Sequence, residues 1–208
     1  MIEKNYLDRL SGTGDVRYAV YSGPTGEIYM LGDAVSLKAL IFAGSLSRSY
    51  NVEKHFQKKA TAPITAAGDF LDSYFGGDAE TRKPESAKRA MRIVIINSIM
   101  RLERGGLILH MDVSEFTKNE VAVSRELLRV PFGRIISYRA LAERAGIPRG
   151  ARFAGNAMAK NNFPIIIPCH RVINADGTMG NYSGGTHIKK LLLDHEGVSF
   201  PLNRAGRF

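Results

Sequence analysis

The sequence predicts an α/β (α+β) fold, with a small N-terminal domain of antiparallel sheet and helix and a mainly helical C-terminal domain. Three observations carry that expectation. Apolar side chains alternate through the first 45 of the 208 residues, the pattern of half-buried strands. From Ser114 onward, capped helical segments with Gly and Pro stops take over. Charge is also unevenly placed: residues 1–112 hold 15 Lys+Arg against 13 Asp+Glu, and residues 113–208 hold 14 against 7, within a net charge of +9. A boundary is expected at 112/113.

In chain order, Val16, Tyr18 and Val20 alternate, Ser22–Gly26 supplies turn residues, and Ile28 and Met30 alternate again, predicting a hairpin. Val35–Phe42 predicts a further strand, and Asp69–Phe75 a short helix stopped by Gly76-Gly77. Residues 79–112 leave two readings open, a helix starting after Pro84 or a strand at Ile93–Ile96. Phe116–Arg129 has helical spacing and ends at Pro131-Phe-Gly. Ser137 is a good N-cap for a helix over Tyr138–Ala145, which Gly146 and Pro148 stop. A second helix is expected over Gly150–Lys160, and two short helices joined by a Gly/Pro turn fit a helix-turn-helix. Phe153, Ala154, Ala157 and Met158 form its inner side. Arg152, Gly155, Asn156 and Ala159 share another face, made of small residues apart from one Arg. That face suits close approach either to a DNA groove or to another part of the protein. Ile165–Ile167 predicts a buried strand, residues 174–185 a loop, and Thr186–Glu196 a last helix with Ile188, Leu191, Leu192 and His195 on one side.

Composition narrows the chemistry. The single cysteine, Cys169, excludes an intrachain disulfide and a cysteine-rich zinc site. The five histidines lack metalloprotease spacing, so no metal site is expected. No apolar run reaches membrane-spanning length, and the start lacks the regions of a signal peptide. A cytoplasmic protein is therefore expected, or a nuclear one in a eukaryote. The basic C-terminal part suits a polyanionic partner.

A lone Cys among apolar residues is ordinarily an inert core residue, and such surroundings raise its pKa. Here His170 and Arg171 follow at once, and a neighbouring base or cation works the other way. A Cys activated by a His that a third group orients is a general nucleophile design. Adjacent residues of extended chain point to opposite sides. Cys169 and His170 therefore need a turn, or a water between them.

Pro168-Cys-His-Arg-Val172, preceded by Asn161 and Pro164-Ile-Ile-Ile, resembles the active-site signature of the O6-alkylguanine-DNA alkyltransferases (methylated-DNA–protein-cysteine methyltransferases). The likeness extends through Val130–Tyr138, Leu141-Ala142, Arg152–Gly155, Gly180–Gly185 and Leu192–Gly197, covering roughly residues 114–198. The N-terminal part is similar only through the Gly-Pro-Thr-Gly hairpin and Leu71–Asp78. The resemblance implies a winged helix-turn-helix-like DNA-binding motif and a partner, double-stranded DNA containing O6-alkylguanine. It implies a monomer, no cofactor, and a single irreversible transfer per molecule.

The same resemblance implies the site residues. Cys169 would be nucleophile and permanent acceptor, His170 its base through a water, Glu196 the group that orients His170, and Asn161 the holder of the turn. Tyr138 would help turn the target nucleotide and donate a hydrogen bond to the leaving guanine. Arg152 would fill the vacated stack, with Ala151, Gly155 and Asn156 beside it on the DNA. Ser183 and backbone around Val172 would contact the extruded base between walls formed by Pro164 and Tyr182. Asn156 stands where many relatives carry Gly, Asn162 where Pro often follows the motif Asn, and Ala159 where a cation is common. Two rival classes are a lesion-binding protein without transfer, whose relatives lack the cysteine, and a Cys/His hydrolase or thiol sensor. The sensor would usually need a resolving Cys, and the chain has none.

Overall fold

The computed structural model describes residues 4–46, 50–76, 91–104 and 106–198. Helix α1 (Lys4–Gly12) precedes the hairpin β1 (Arg17–Gly23) and β2 (Gly26–Gly32), then β3 (Leu37–Phe42). The hairpin is the predicted one, closed by Pro24-Thr25 with Gly26 at φ +89°. A short helix α2 (Val52–His55), strand β4 (Gln57–Lys58) and helix α3 (Ala62–Gly76) follow. Then come β5 (Arg92–Ile96), β6 (Ile99–Arg104) and β7 (Leu107–Asp112). The seven strands form one sheet in the order β4-β1-β2-β3-β7-β6-β5.

Four features differ from expectation. Residues 4–12, expected as strand within the first 45, form helix α1. The sheet is mixed, because β4 pairs with β1 and β7 with β3 in parallel. Residues 92–112 form an antiparallel meander whose first turn places Asn97 and Ser98 at positive φ, as a two-residue hairpin turn of the primed type requires. Ile93–Ile96 is thus strand, while the alternative helix start at Pro84 lies outside the described residues, as does Gly77. Helix α3 begins seven residues earlier than expected, at Ala62. Pro63 is tolerated in its first turn, and Ile64, Ala67, Leu71 and Tyr74 recur at helical spacing on the buried face.

Beyond β7 the chain is mainly helical: α4 (Lys118–Leu128), β8 (Ile136–Ser137), α5 (Tyr138–Arg144), α6 (Ala151–Ala159), β9 (Val172–Ile173) and α7 (Thr186–His195). Thr117 and Glu120 close a reciprocal capping box on α4. Ser137 Oγ accepts from the Ala140 N–H at 3.1 Å to cap α5, and Gly146 leaves that helix at φ +75°. Helices α5 and α6 are the expected helix-turn-helix. β8 and β9 pair in parallel and tie that unit to the segment carrying Cys169.

Two local expectations fail. Ile165–Ile167 is buried but is a turn, not a strand, with Ile165 at φ +72°. Pro164 and Pro168 flank it and cannot donate to a ladder, and the Ile167 N–H turns back to Phe163 O at 2.9 Å. On α7 the inward residues are Ile188, Lys189, Leu192 and Leu193, whereas Leu191 is 48% exposed. The buried stripe is centred between 188/192 and 189/193, which rotates Leu191 to the far side.

One apolar cluster joins the two parts: Met30, Leu40 and Met111 of the sheet, Leu71 and Tyr74 of α3, and Val123, Leu141, Phe163, Cys169 and Leu192 beyond residue 112. Among the described residues, no helix is long and apolar enough to cross a membrane.

Candidate active site

The turn predicted between Cys169 and its neighbours is built from local geometry. Pro168 sits at φ −81°, ψ 63°, the inverse γ-turn, and the Cys169 N–H bonds back to Ile167 O at 2.8 Å. Cys169–Arg171 then forms one turn of 3₁₀-helix, closed by Arg171 N–H to Pro168 O at 2.9 Å. The Asn161 side chain fastens this turn. Its Nδ2 donates to Ile167 O at 2.9 Å and to Cys169 Sγ at 3.1 Å, while its Oδ1 accepts from the Phe163 N–H at 3.0 Å.

Cys169 is buried. Burial pushes its thiol pKa up, and the Asn161 hydrogen bond, the Lys189 charge and the Tyr182 hydroxyl oppose that rise without cancelling it. The Tyr182 hydroxyl is itself buried near the thiol and has no partner in full hydrogen-bonding geometry among the described residues. Burial and the adjacent Cys169 hold its pKa well above the usual value.

His170 and Glu196 are fully buried, with Nε2 and Oε1 2.7 Å apart. Glu196 collects donors: Arg171 Nε at 2.9 Å and Nη2 at 2.9 Å, the Gly133 N–H at 2.9 Å, and the Tyr74 hydroxyl at 2.8 Å. Burial pushes the Glu196 carboxyl up, but the Arg171 charge, then His170, outweigh it and hold the pKa far below the ordinary range. Burial also dominates at His170, where it favours the neutral ring; Glu196 pulls the other way, and Arg171 and Lys189 add to the lowering. With Nε2 bonded to Glu196, Nδ1 is left buried without a partner among the described residues.

The remaining expected site residues fall into two groups. Tyr138 opens α5, half-buried, with its ring 4.0 Å from where a Cβ on Gly155 would lie and 3.4 Å from one on Gly180. Burial and Cys169 raise the Tyr138 pKa. Of the other residues expected around the base, Pro164 and Val172 are buried and Tyr182 and Ser183 half-buried. Tyr182 packs on Phe42 of β3 at 6.2 Å between ring centroids. Along α6, Arg152 and Asn156 are exposed, and Ala151 and Gly155 are half-buried. The structure thus forms two buried hydrogen-bonded groups, Asn161 with Cys169 and His170 with Glu196, which meet at the adjacent residues 169 and 170, and it leaves Arg152 and Asn156 of α6 exposed.

Three participants escaped the sequence reading. Arg171 was read only as a nearby cation, yet it is the main partner of Glu196 and also donates to Val130 O at 2.7 Å. Lys189 is completely buried, and its Nζ donates to Val172 O at 2.6 Å and to Met179 O. Burial brings its pKa down to about 8, with Cys169 working against that fall. Its helical position, beside Leu193 and Glu196, was the available signal. Tyr74 comes from α3, 122 residues before Glu196, and no sequence signal marks that pairing.

Residues 118–198 match the family model described as the 6-O-methylguanine DNA methyltransferase, DNA binding domain. A rat methylated-DNA–protein-cysteine methyltransferase is 56% identical over 70 residues, 33% of this chain and 34% of the relative. The chain thus matches about a third of the length of the mammalian relatives. A relative of the same name from Methanosarcina acetivorans is 28% identical over 185 residues, covering 86% of this chain and 97% of its own length. The solved O6-methylguanine methyltransferase of Mycobacterium tuberculosis superposes with a TM-score of 0.64 at 27% identity, covering 91% of this chain and 98% of that one. A structure of the same organism's protein in complex with DNA superposes at 0.62, at 27% identity, covering 86% and 92%. By these matches, residues 118–198 carry the DNA-binding domain that this family model describes, and the chain is similar along most of its length to O6-methylguanine methyltransferases.

Proposed function

We propose that the protein repairs double-stranded DNA by rotating an O6-alkylguanine out of the helix and transferring its alkyl group to Cys169. The observation that carries this reading is a buried Asn161 N–H on the Cys169 sulfur, next in sequence to His170, whose ring is favoured as neutral by burial and fixed by Glu196. The O6 atom lies inside the stacked duplex, so extrusion must precede attack. The exposed Arg152 at the start of α6 would fill the vacancy, with Ala151, Gly155 and Asn156 following the groove. The extruded base would lie between Pro164 and Tyr182, against Ser183 and the backbone of Val172.

In the transfer step, His170 Nδ1 takes the thiol proton through a water, and the sulfur attacks the alkyl carbon. The C–O6 bond breaks, its electron pair leaves with guanine, and a proton returns to the ring as Tyr138 donates a hydrogen bond to it. The products are a thioether and an unmodified base. The atoms balance without a cofactor, and nothing in the step regenerates the thiol, so one molecule repairs one lesion. We further infer a monomer that acts where the DNA lies, in the cytoplasm, or in the nucleus of a eukaryote.

The test is mass spectrometry after mixing with duplex DNA carrying O6-methylguanine. One methyl mass is expected on the peptide containing Cys169, with an end point of one equivalent. Transfer that survives Cys169→Ser, or turnover well past one equivalent, would refute the mechanism. Binding to the lesion without any mass gain would favour a recognition protein.

A further inference from the structure

Tyr74 lies outside the matched residues 118–198, yet its hydroxyl reaches the centre of the site. It donates to Glu196 Oε1 at 2.8 Å and stands 3.4 Å from His170 Nε2. The same oxygen, Oε1, accepts from His170 at 2.7 Å. Glu196, His170 and the Tyr74 hydroxyl therefore form a buried triangle, two corners from the C-terminal part and one from α3. The ring is fixed on several sides: it packs edge-on against Phe75 and Phe132 and lies against His195, whose Nε2 is 2.9 Å from the Tyr74 carbonyl oxygen.

Such a triangle has a consequence for the imidazole. A neutral ring carries its proton on one nitrogen, and the hydrogen bonds around it choose which. The charged groups facing His170 are Glu196 at Nε2, Arg171 across the carboxylate, and Lys189, with Arg104 near Arg171 and Glu196. Among the described residues, the acceptors near Nε2 are Glu196 Oε1 and the Tyr74 oxygen. Both favour a proton on Nε2, which leaves Nδ1 as the nitrogen with a free lone pair.

Resting on the proposed alkyl transfer, we propose that Tyr74 is a positioning residue for it: its hydroxyl locks Glu196 against His170, so that Nε2 holds the proton and Nδ1 serves as the base. The sheet-bearing part of the chain thereby contributes directly to the readiness of the thiol.

Nitrogen-15 NMR of His170, together with the rates of Cys169 modification by iodoacetamide and by O6-methylguanine duplex, tests this in the full chain. Wild-type protein is expected to show His170 protonated on Nε2. Protonation on Nδ1 would overturn the proposal without any variant. Tyr74→Phe keeps the ring and removes the hydroxyl. It should populate the other tautomer and slow both reactions roughly tenfold, the scale of one lost hydrogen bond to a charged group, with DNA affinity unchanged. Unaltered rates, or a slower reaction with an unaltered tautomer, would reduce Tyr74 to a packing role. Should the wild type accept no methyl group, the functional reading fails, while the NMR and iodoacetamide measurements still decide the part played by Tyr74.

Discussion

Asn161 and Cys169 are joined by a 3.1 Å hydrogen bond from amide to sulfur, and the same amide donates to Ile167 O two residues before the cysteine. One side chain thus sets both the shape of the turn and the polarity around the thiol. The hydrogen bond favours the thiolate, against a burial that disfavours it.

Asn161→Ala should therefore damage stability and reactivity together. It removes the partner of the Phe163 N–H and one of the two donors to the Ile167 carbonyl, at about 1–3 kcal/mol for the buried group left unpaired. Urea denaturation would show the loss, and the iodoacetamide rate of the folded fraction should fall at least about tenfold. Asn161→Asp should be more severe for the thiol, since an acceptor would then face the sulfur. An unchanged iodoacetamide rate in folded Asn161→Ala would remove Asn161 from the activation of Cys169.

Lys189 calls for a separate prediction. It is buried, hydrogen-bonded to two backbone carbonyls, and its charge is one of the influences lowering the Cys169 pKa. Lys189→Met keeps the length and removes that charge. The thiol pKa should rise, and alkylation at neutral pH should slow by roughly tenfold, the lower end expected for losing a nearby opposite charge. Thiolate absorbance followed against pH measures it directly. A titration curve that does not move would mean that the Lys189 charge has no part in setting the thiol, leaving Asn161 and Tyr182.

What the sequence revealed depended on how local each feature is. Ser137, Gly146 and Pro148 mark the helix-turn-helix because caps and stops act within a few residues. The motif 168–172 carries the proposed nucleophile and base side by side. The Ile165–Ile167 turn was misread because three apolar residues show burial but not backbone shape; the flanking prolines were the better clue. Helix α1 was read as strand with the rest of the first 45 residues, and the β5–β7 meander left two readings open because its form depends on pairing across the sheet. Tyr74 with Glu196, and Phe42 with Tyr182, meet only through the fold. The same holds for the depth at which Lys189 sits.

Arg152 is exposed in the first turn of α6 and takes no part in the Asn161–Cys169 or His170–Glu196 hydrogen bonds. A role in filling the base stack would matter only when there is a stack to fill. Arg152→Ala should slow repair of duplex DNA by about tenfold or more, given the few kcal/mol that extrusion takes. Reaction with the free alkylated base should remain within about twofold, because no base pair has to open. Paired rate measurements on the two substrates decide it, and equal losses on both would contradict the stack-filling role.

The buried His170–Glu196–Arg171 network also predicts how stability depends on pH. The His170 pKa is lowered in the folded state from its ordinary 6.5, chiefly by burial. Below pH 6.5 the unfolded chain takes up a proton that the folded protein resists, so stability falls as pH drops through that range. Glu196 is lowered from 4.5, because Arg171 and His170 outweigh its burial. Its contribution is present above pH 4.5 and is lost as pH falls below it. Asp112 and Glu120, where hydrogen bonds and the charges of Lys38 and Lys160 outweigh burial, add only to this second, more acid stage. Each group changes stability by at most about 1.4 kcal/mol per pH unit. Denaturant unfolding from pH 8 to pH 3 should therefore show a shallow decline beginning near 6.5 and a steeper one below 4.5. In His170→Gln the first decline should diminish while the second persists. A stability that stays flat between pH 7 and pH 5 in the wild type would contradict a neutral, buried His170, and with it the free lone pair on which the proposed proton transfer depends.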